Sequence, residues 1–256
     1  MGRFPFGMSF SMTSPIAVQL EFAGLSDVGR SRSRNEDSFA INREAGFAVV
    51  CDGMGGHAGG DIASRTVVEV IGEVVSGAGK SGQDAEATIR AAIRQANHRL
   101  VGLNQQRGFP EGRGMGTTVV GLWQIARTDR ALVFHAGDSR LYRLRAGELR
   151  QITRDHSLYQ AWLDAGGHGQ APQRNIIIRA LGTTADADPD IETQSVGPGD
   201  LFLICSDGLS GMMSDQEIAD ALGAGGDLPA LCKRLVDSAN EKGGHDNVTA
   251  VLARVI

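Results

Sequence analysis

The stretch Val49 to Gly60, VVCDGMGGHAGG, constrains this chain more than any other. Phe47 to Cys51 is an apolar run that reads as a buried strand, and it stops at Asp52, after which five of the next eight residues are glycine. A carboxylate at a strand end, beside backbone with no side chains to block approach, leaves its oxygens and the Gly53 carbonyl open to a cation or a phosphate. Taken alone, the same residues describe equally well a glycine turn closing a strand. Other stretches have to separate the two readings.

Three further acids repeat the arrangement. Asp138 ends VFHAGD, Asp207 ends FLICSD, and Asp246 in GGHD leads into the apolar run Val248 to Val255; each precedes a small or turn-forming residue, Ser139, Gly208 and Asn247. Carboxylates gathered at the ends of apolar strands repel one another unless a cation neutralises them, and an oxygen-only set with no paired His or Cys selects a hard ion, Mg²⁺ or Mn²⁺. The chemistry this implies is metal-assisted hydrolysis. Upstream, DVGRSRSRNEDSF places Arg30, Arg32 and Arg34 beside Glu36 and Asp37. Guanidinium forks suit phosphate oxygens, and the i, i+2 alternation would set the three on one strand face; a solvated, self-paired loop is the plainer alternative.

Periodicity places helices at about Asp61 to Val75, along Ala63, Val67, Val70, Ile71 and Val74, and over the stripe Ile89 to Leu103, with Ser76 to Gly82 as the loop between. Thr117 to Ile125, Ala131 to His135 and Leu141 to Leu144 read as an antiparallel meander, and Asp155 to Arg174 as a surface loop holding a short helix. Strands follow at Ile191 to Val196 and Leu201 to Cys205. Two helices, capped by Ser214 with Glu217 and by Asp227, precede the last strand. Strands in blocks and helices in pairs predict an α+β fold with sheets face to face and helices outside. A net charge of -5 over 256 residues excludes nucleic acid or an anionic membrane as the main partner. Cys51, Cys205 and Cys232 form no CxxC pair and read as reduced thiols of a cytoplasmic protein. Residues 1–17, interrupted by Pro5, Gly7 and Pro15, read as a flexible tail without a signal peptide, and no run is long enough to span a membrane.

Eight motifs also occur in order: DVGRSRSRNED at Asp27 to Asp37, DGMGGHAGG at Asp52 to Gly60, GMGTT at Gly114 to Thr118, GDSR at Gly137 to Arg140, DHS at Asp155 to Ser157, RALG at Arg179 to Gly182, SDGL at Ser206 to Leu209 and DNVT at Asp246 to Thr249. From about residue 20 to the end, the series resembles the bacterial branch of the metal-dependent type-2C protein phosphatases. The resemblance implies one catalytic domain over 18–256, folded as a four-layer α-β-β-α sandwich. It implies hydrolysis of phosphoserine and phosphothreonine in proteins by a monomer that opposes a Ser/Thr kinase. Two tight Mn²⁺ or Mg²⁺ sites are implied, with a third, weaker one. Carried over by motif, Asp52 would bridge two ions, the Gly53 carbonyl would bind one, and Asp207 and Asp246 would hold the other. Glu36 and Asp37 would act mostly through water, and Asp138 would complete the third site. Arg32 would clamp the phosphoryl oxygens. His57 would protonate the leaving oxygen, a role that suits its ordinary pKa, or would hydrogen-bond a metal-held water. His98, His135, His156, His168 and His245 are left as structural or surface residues. The flap at 158–174 does not disclose substrate preference. Two rival classes, a regulatory pseudophosphatase and a nuclease or small-phosphoester hydrolase, are disfavoured by the filled motifs and by the acidic charge balance.

Overall fold

The computed structural model describes residues 18–55, 59–78, 84–110 and 112–256. The order is β1 (Leu20–Asp27), β2 (Asp37–Asn42), β3 (Phe47–Met54), α1 (Gly60–Ala78), α2 (Ala85–Gln106), β4 (Gly116–Thr117), β5 (Val119–Gln124), β6 (Arg130–Ala136), β7 (Arg140–Arg145) and β8 (Glu148–Gln151). It continues with α3 (Leu158–Asp164), β9 (Asp190–Ser195), β10 (Leu201–Cys205), α4 (Asp207–Ser210), α5 (Asp215–Gly223), α6 (Leu228–Glu241) and β11 (Val248–Val255). Antiparallel pairings build one sheet in the order β1-β11-β10-β7-β8 and another in the order β2-β3-β5-β6-β9, with β4 added against β3.

Strand periodicity explains the layers. Along β3, Ala48 and Val50 enter the core between the sheets, while Phe47, Val49 and Cys51 face the cluster formed with α1 and α2. In β10, Phe202 and Ile204 point between the sheets and Leu203 and Cys205 point to the helices α5 and α6. A strand covered on both faces has no polar side to show, which is why these runs are apolar throughout. The α-β-β-α sandwich is the predicted architecture. At α5 the Ser214 and Glu217 capping box forms as its spacing predicts, and Asp227 caps α6.

Four local expectations change. The meander divides: β5 and β6 pair in one sheet, whereas β7 pairs with β10 in the other. The chain changes sheets at Gly137 to Ser139, where Gly137 takes a φ of 122°, a region that disfavours a side chain. Residues 28–36 form a turn instead of a strand, so Arg30, Arg32 and Arg34 share no strand face; Gly29 (φ 81°) reverses the chain and the N–H groups of Arg30 and Ser31 donate to the Gly244 carbonyl. Helix α1 runs on through Ser76 to Ala78, into the expected loop. Strands β2 and β8 are additional. The three cysteines are free and buried. No helix among the described residues is long and apolar enough to cross a membrane. The tail over residues 1–17 and His57 lie outside the described residues.

Candidate metal centre

The strand ends and turns of both sheets meet at one edge of the sandwich, and the acids meet with them. Asp37 opens β2 and pairs in register with Asp52 near the end of β3. Asp207 follows β10, Asp246 precedes β11, and Asp138 lies in the crossing between β6 and β7. Hydroxyl and amide side chains fix this set. The Asp52 backbone is held by the two threonines of GMGTT: its N–H donates to Thr118 Oγ1 (3.0 Å) and its carbonyl accepts from Thr117 Oγ1 (2.8 Å). Thr118 reaches across to Ser139 Oγ at 2.7 Å, tying Asp52 to the turn of Asp138. On Asp37, Oδ2 accepts from Ser206 Oγ (2.7 Å) and Thr249 Oγ1 (2.6 Å).

Gly53 and Gly208 are glycines of necessity. A Cβ at Gly53 would lie 2.1 Å from the Gly60 carbonyl oxygen, and one at Gly208 would lie 1.9 Å from the Asn247 carbonyl oxygen. Glu36 belongs to the same packing, its carboxyl group 2.7 Å from where a Gly60 Cβ would stand. Its backbone N–H donates to Asn247 Oδ1, while Asn247 Nδ2 donates to the Val28 and Arg34 carbonyls. One buried amide thus holds the arginine-rich turn against the acids. From that turn Arg32 reaches Asp246, with Nη2 donating to Oδ2 at 2.7 Å. Among the described residues, Arg30 and Arg34 make no such contact with the acids.

The electrostatics identify what the cluster lacks. Burial first, then repulsion from Asp37, Asp207 and Asp138, drives the Asp52 carboxyl well above its ordinary range. Asp37 is pushed up to about 7 by burial, with the charges of Asp207 and Asp246 adding to it against the two hydroxyl bonds. Asp138 is likewise pushed up to about 7, by burial and then by Asp207 and Asp155. The Asp207 carboxyl also rises, through burial and the neighbouring Asp246, although Arg32 and Arg140 pull the other way. Arg140 is committed elsewhere, bidentate to Asp155 at 2.9 and 2.7 Å. The buried oxygens Asp37 Oδ1 and Asp138 Oδ1 have no hydrogen-bond partner. Orphaned carboxylate oxygens beside uncompensated negative charge are what an absent cation would satisfy.

Every expected site residue within the described chain comes to this edge: Arg32, Glu36, Asp37, Asp52, Gly53, Asp138, Asp207 and Asp246. Ser206, Thr249, Thr117 and Thr118 stand in the quoted motifs without an expected role, and Ser139 and Asn247 are read from sequence only as turn residues. Their role is to hold acids, and the hydroxyls of Ser206 and Thr249 do not announce bonds to Asp37, 169 and 212 residues away.

Among the described residues, one trio of His, Cys, Asp or Glu has ligand atoms all within 4.8 Å of one another, and it is not in this cluster: His135, His156 and Asp190. Two features disqualify it as a cation site. The imidazoles stack at 4.5 Å with planes 12° apart, so their in-plane lone pairs run parallel instead of converging. The Arg179 guanidinium already fills the place, 2.5 Å from Asp190 Oδ1. In the aspartate cluster Asp246 is turned towards Arg32.

Comparison with known proteins gives a consistent result. Residues 28–253 match the family Protein phosphatase 2C. The serine/threonine protein phosphatase PstP of Mycobacterium tuberculosis is 37% identical over 250 residues, which cover 94% of this chain and 46% of PstP. The chain therefore spans about half the length of that curated relative. PppA, described as a key regulatory component of T6SS in Pseudomonas aeruginosa, superposes with a TM-score of 0.85 at 37% identity, over 94% of this chain and 99% of that one. The catalytic domain of PstP in complex with two manganese ions gives a TM-score of 0.83 at 35% identity, over 93% and 99%. With its sandwich, its ordered motifs and its gathered aspartates, the chain belongs to the protein phosphatase 2C family.

Proposed function

We propose that this chain is a metal-dependent protein serine/threonine phosphatase that hydrolyses phosphoserine and phosphothreonine monoesters at a dinuclear Mn²⁺ or Mg²⁺ centre. The observation that carries the reading is the aspartate cluster itself, with two orphaned buried oxygens and carboxyls raised by burial and mutual repulsion. The donors are all oxygen, the set that hard divalent ions take. Two manganese ions in a relative of the same fold support it. Asp52, the Gly53 carbonyl, Asp207 and Asp246 would hold the two ions, with Glu36 and Asp37 acting through water. Asp138, with Asp207, would serve a third, weaker site. Such ions supply a nucleophilic hydroxide at neutral pH and neutralise charge on a phosphoryl group.

The remaining steps belong to side chains. Arg32, half exposed and paired with Asp246 beside the cluster, would bind the phosphoryl oxygens. His57 would deliver the proton to the departing Ser or Thr oxygen. The catalytic domain would span 18–256, and the physiological setting would be that of a cytoplasmic monomer opposing a Ser/Thr kinase.

Purified protein with Mn²⁺ should release phosphate from a phosphothreonine peptide and from p-nitrophenyl phosphate, and chelator should stop both reactions. Chelator-resistant turnover would refute the metal mechanism, and turnover of the small ester alone would refute the protein substrate.

A further inference from the structure

The cluster behind Asp138 has a purpose that the proposed chemistry does not use. His156 is buried and exchanges two hydrogen bonds with Gly137, the residue before Asp138: the His156 N–H donates to the Gly137 carbonyl (2.9 Å), and the Gly137 N–H donates to His156 Nδ1 (3.2 Å). A backbone N–H can only donate, so Nδ1 must be the acceptor and the ring proton must lie on Nε2. Nε2 faces Asp190 Oδ2 at 3.3 Å, an acceptor for that proton, while Arg179 Nη1 holds the other oxygen of Asp190. Arg179 Nη1 also lies 3.1 Å from Nε2, and with the proton there this contact is not a hydrogen bond. His135 stacks on the same ring and is anchored through Nε2 to the Arg154 carbonyl at 2.8 Å. The chain changes sheets at Gly137, whose φ is positive and whose peptide leads directly into Asp138.

We propose that His156, kept in its Nε2–H form by the Gly137 N–H on Nδ1 and by Asp190 at Nε2, is a positioning residue that fixes the Gly137 peptide and so aims the Asp138 carboxylate at the third cation site. This rests on the reading of Asp138 given above. Burial and the neighbouring His135 and Arg179 lower the His156 pKa, which agrees with a neutral ring.

The test is calorimetric Mn²⁺ titration of the full chain beside Asp138→Asn, His156→Phe, His156→Asn and Asp190→Ala, with ring ¹⁵N spectra of the wild type. His156→Phe keeps the stack and removes the acceptor. It should weaken the low-affinity class of sites on the order of tenfold or more, the scale for partners that orient metal ligands. The tight class and KM should not move, and kcat should recover at higher Mn²⁺. His156→Asn, whose Oδ1 can stand where Nδ1 stood, should restore most of the weak-site affinity. Asp190→Ala alters an exposed side chain and should shift the weak class the same way by less, deciding the matter if His156→Phe does not fold. A wild-type ring protonated on Nδ1 would overturn the proposal. So would wild-type titrations for both His156→Phe and Asp190→Ala when Asp138→Asn has lost the weak class. If Asp138→Asn itself titrates as wild type, the third-site reading falls and this proposal falls with it.

Discussion

Two clusters of charge lie on either side of the Gly137 turn, and they are built on opposite principles. Behind the turn, Asp190 is matched within the chain: burial pulls its carboxyl up, but Arg179 and His156 outweigh that and leave it below the ordinary range. In front, Asp37, Asp52, Asp138 and Asp207 crowd together with Arg32 on Asp246 and Arg140 drawn off to Asp155, and their carboxyls rise. The same residue type thus titrates in opposite directions a few residues apart in structure. A carboxylate with an internal partner is a finished structural element, whereas carboxylates buried together without one are unfinished until a cation arrives.

The most severe break is Asp207→Asn or Asp246→Asn. Each should reduce hydrolysis to background, while Asp207→Asn should raise the thermal midpoint of chelator-treated protein because it removes a repelling charge. Phosphate release and melting curves on the same preparations check this. Retained activity in either variant would place the ions elsewhere.

The pH dependence of stability should have opposite signs on the two sides. Asp37 and Asp138 are raised from the ordinary 3.8 to about 7, so the folded state holds their protons over a range where the unfolded chain has released them. Their contribution is intact below about 4 and is lost as pH climbs to about 7. Asp190, being lowered, contributes above its ordinary value and loses that contribution only as pH falls through its folded pKa. Melting of chelator-stripped protein should therefore weaken from pH 4 towards about 7, and Mn²⁺ should abolish that slope. A slope that Mn²⁺ leaves unchanged would assign it to other groups.

A smaller effect is expected from Arg32→Ala, which should raise KM for phosphopeptide on the order of tenfold, the scale of one charge-assisted hydrogen bond. Metal affinity should not fall, because the lost arginine frees Asp246. Steady-state kinetics beside Mn²⁺ titration separates the two, and a larger KM effect from Arg30→Ala or Arg34→Ala would reassign the clamp. Smallest of all, Ser214→Ala removes the α5 cap, which belongs to neither cluster, and should cost about 1 kcal/mol in denaturant unfolding with no change in Mn²⁺ binding.

Much of the architecture is legible locally. Leu201–Cys205 and Val248–Val255 coincide with their apolar runs because both faces of those strands are covered. Strand β2 escapes notice because its DSFAIN is mixed and half buried, and β8 because ELRQ lies at a sheet edge. Sheet membership is not a local property, so the division of the meander between two sheets is invisible until Gly137 is seen to turn. In the site, the acids announce themselves as strand ends. The hydroxyls of Ser206 and Thr249 on Asp37, and the His156 contact with Gly137, are made across the fold and leave no spacing to read.

The central claim is that the aspartate cluster, with its unpartnered buried oxygens and raised carboxyls, is built to hold divalent cations. Calorimetric titration of chelator-stripped protein with Mn²⁺ near neutral pH, on the wild type and Asp207→Asn, tests it most directly. The account predicts that the wild type binds two ions tightly and a further one weakly, with activity towards a phosphothreonine peptide appearing as they load, and that Asp207→Asn loses part of the tight class. A wild type that takes up no Mn²⁺, or binds it identically after Asp207→Asn, would contradict it.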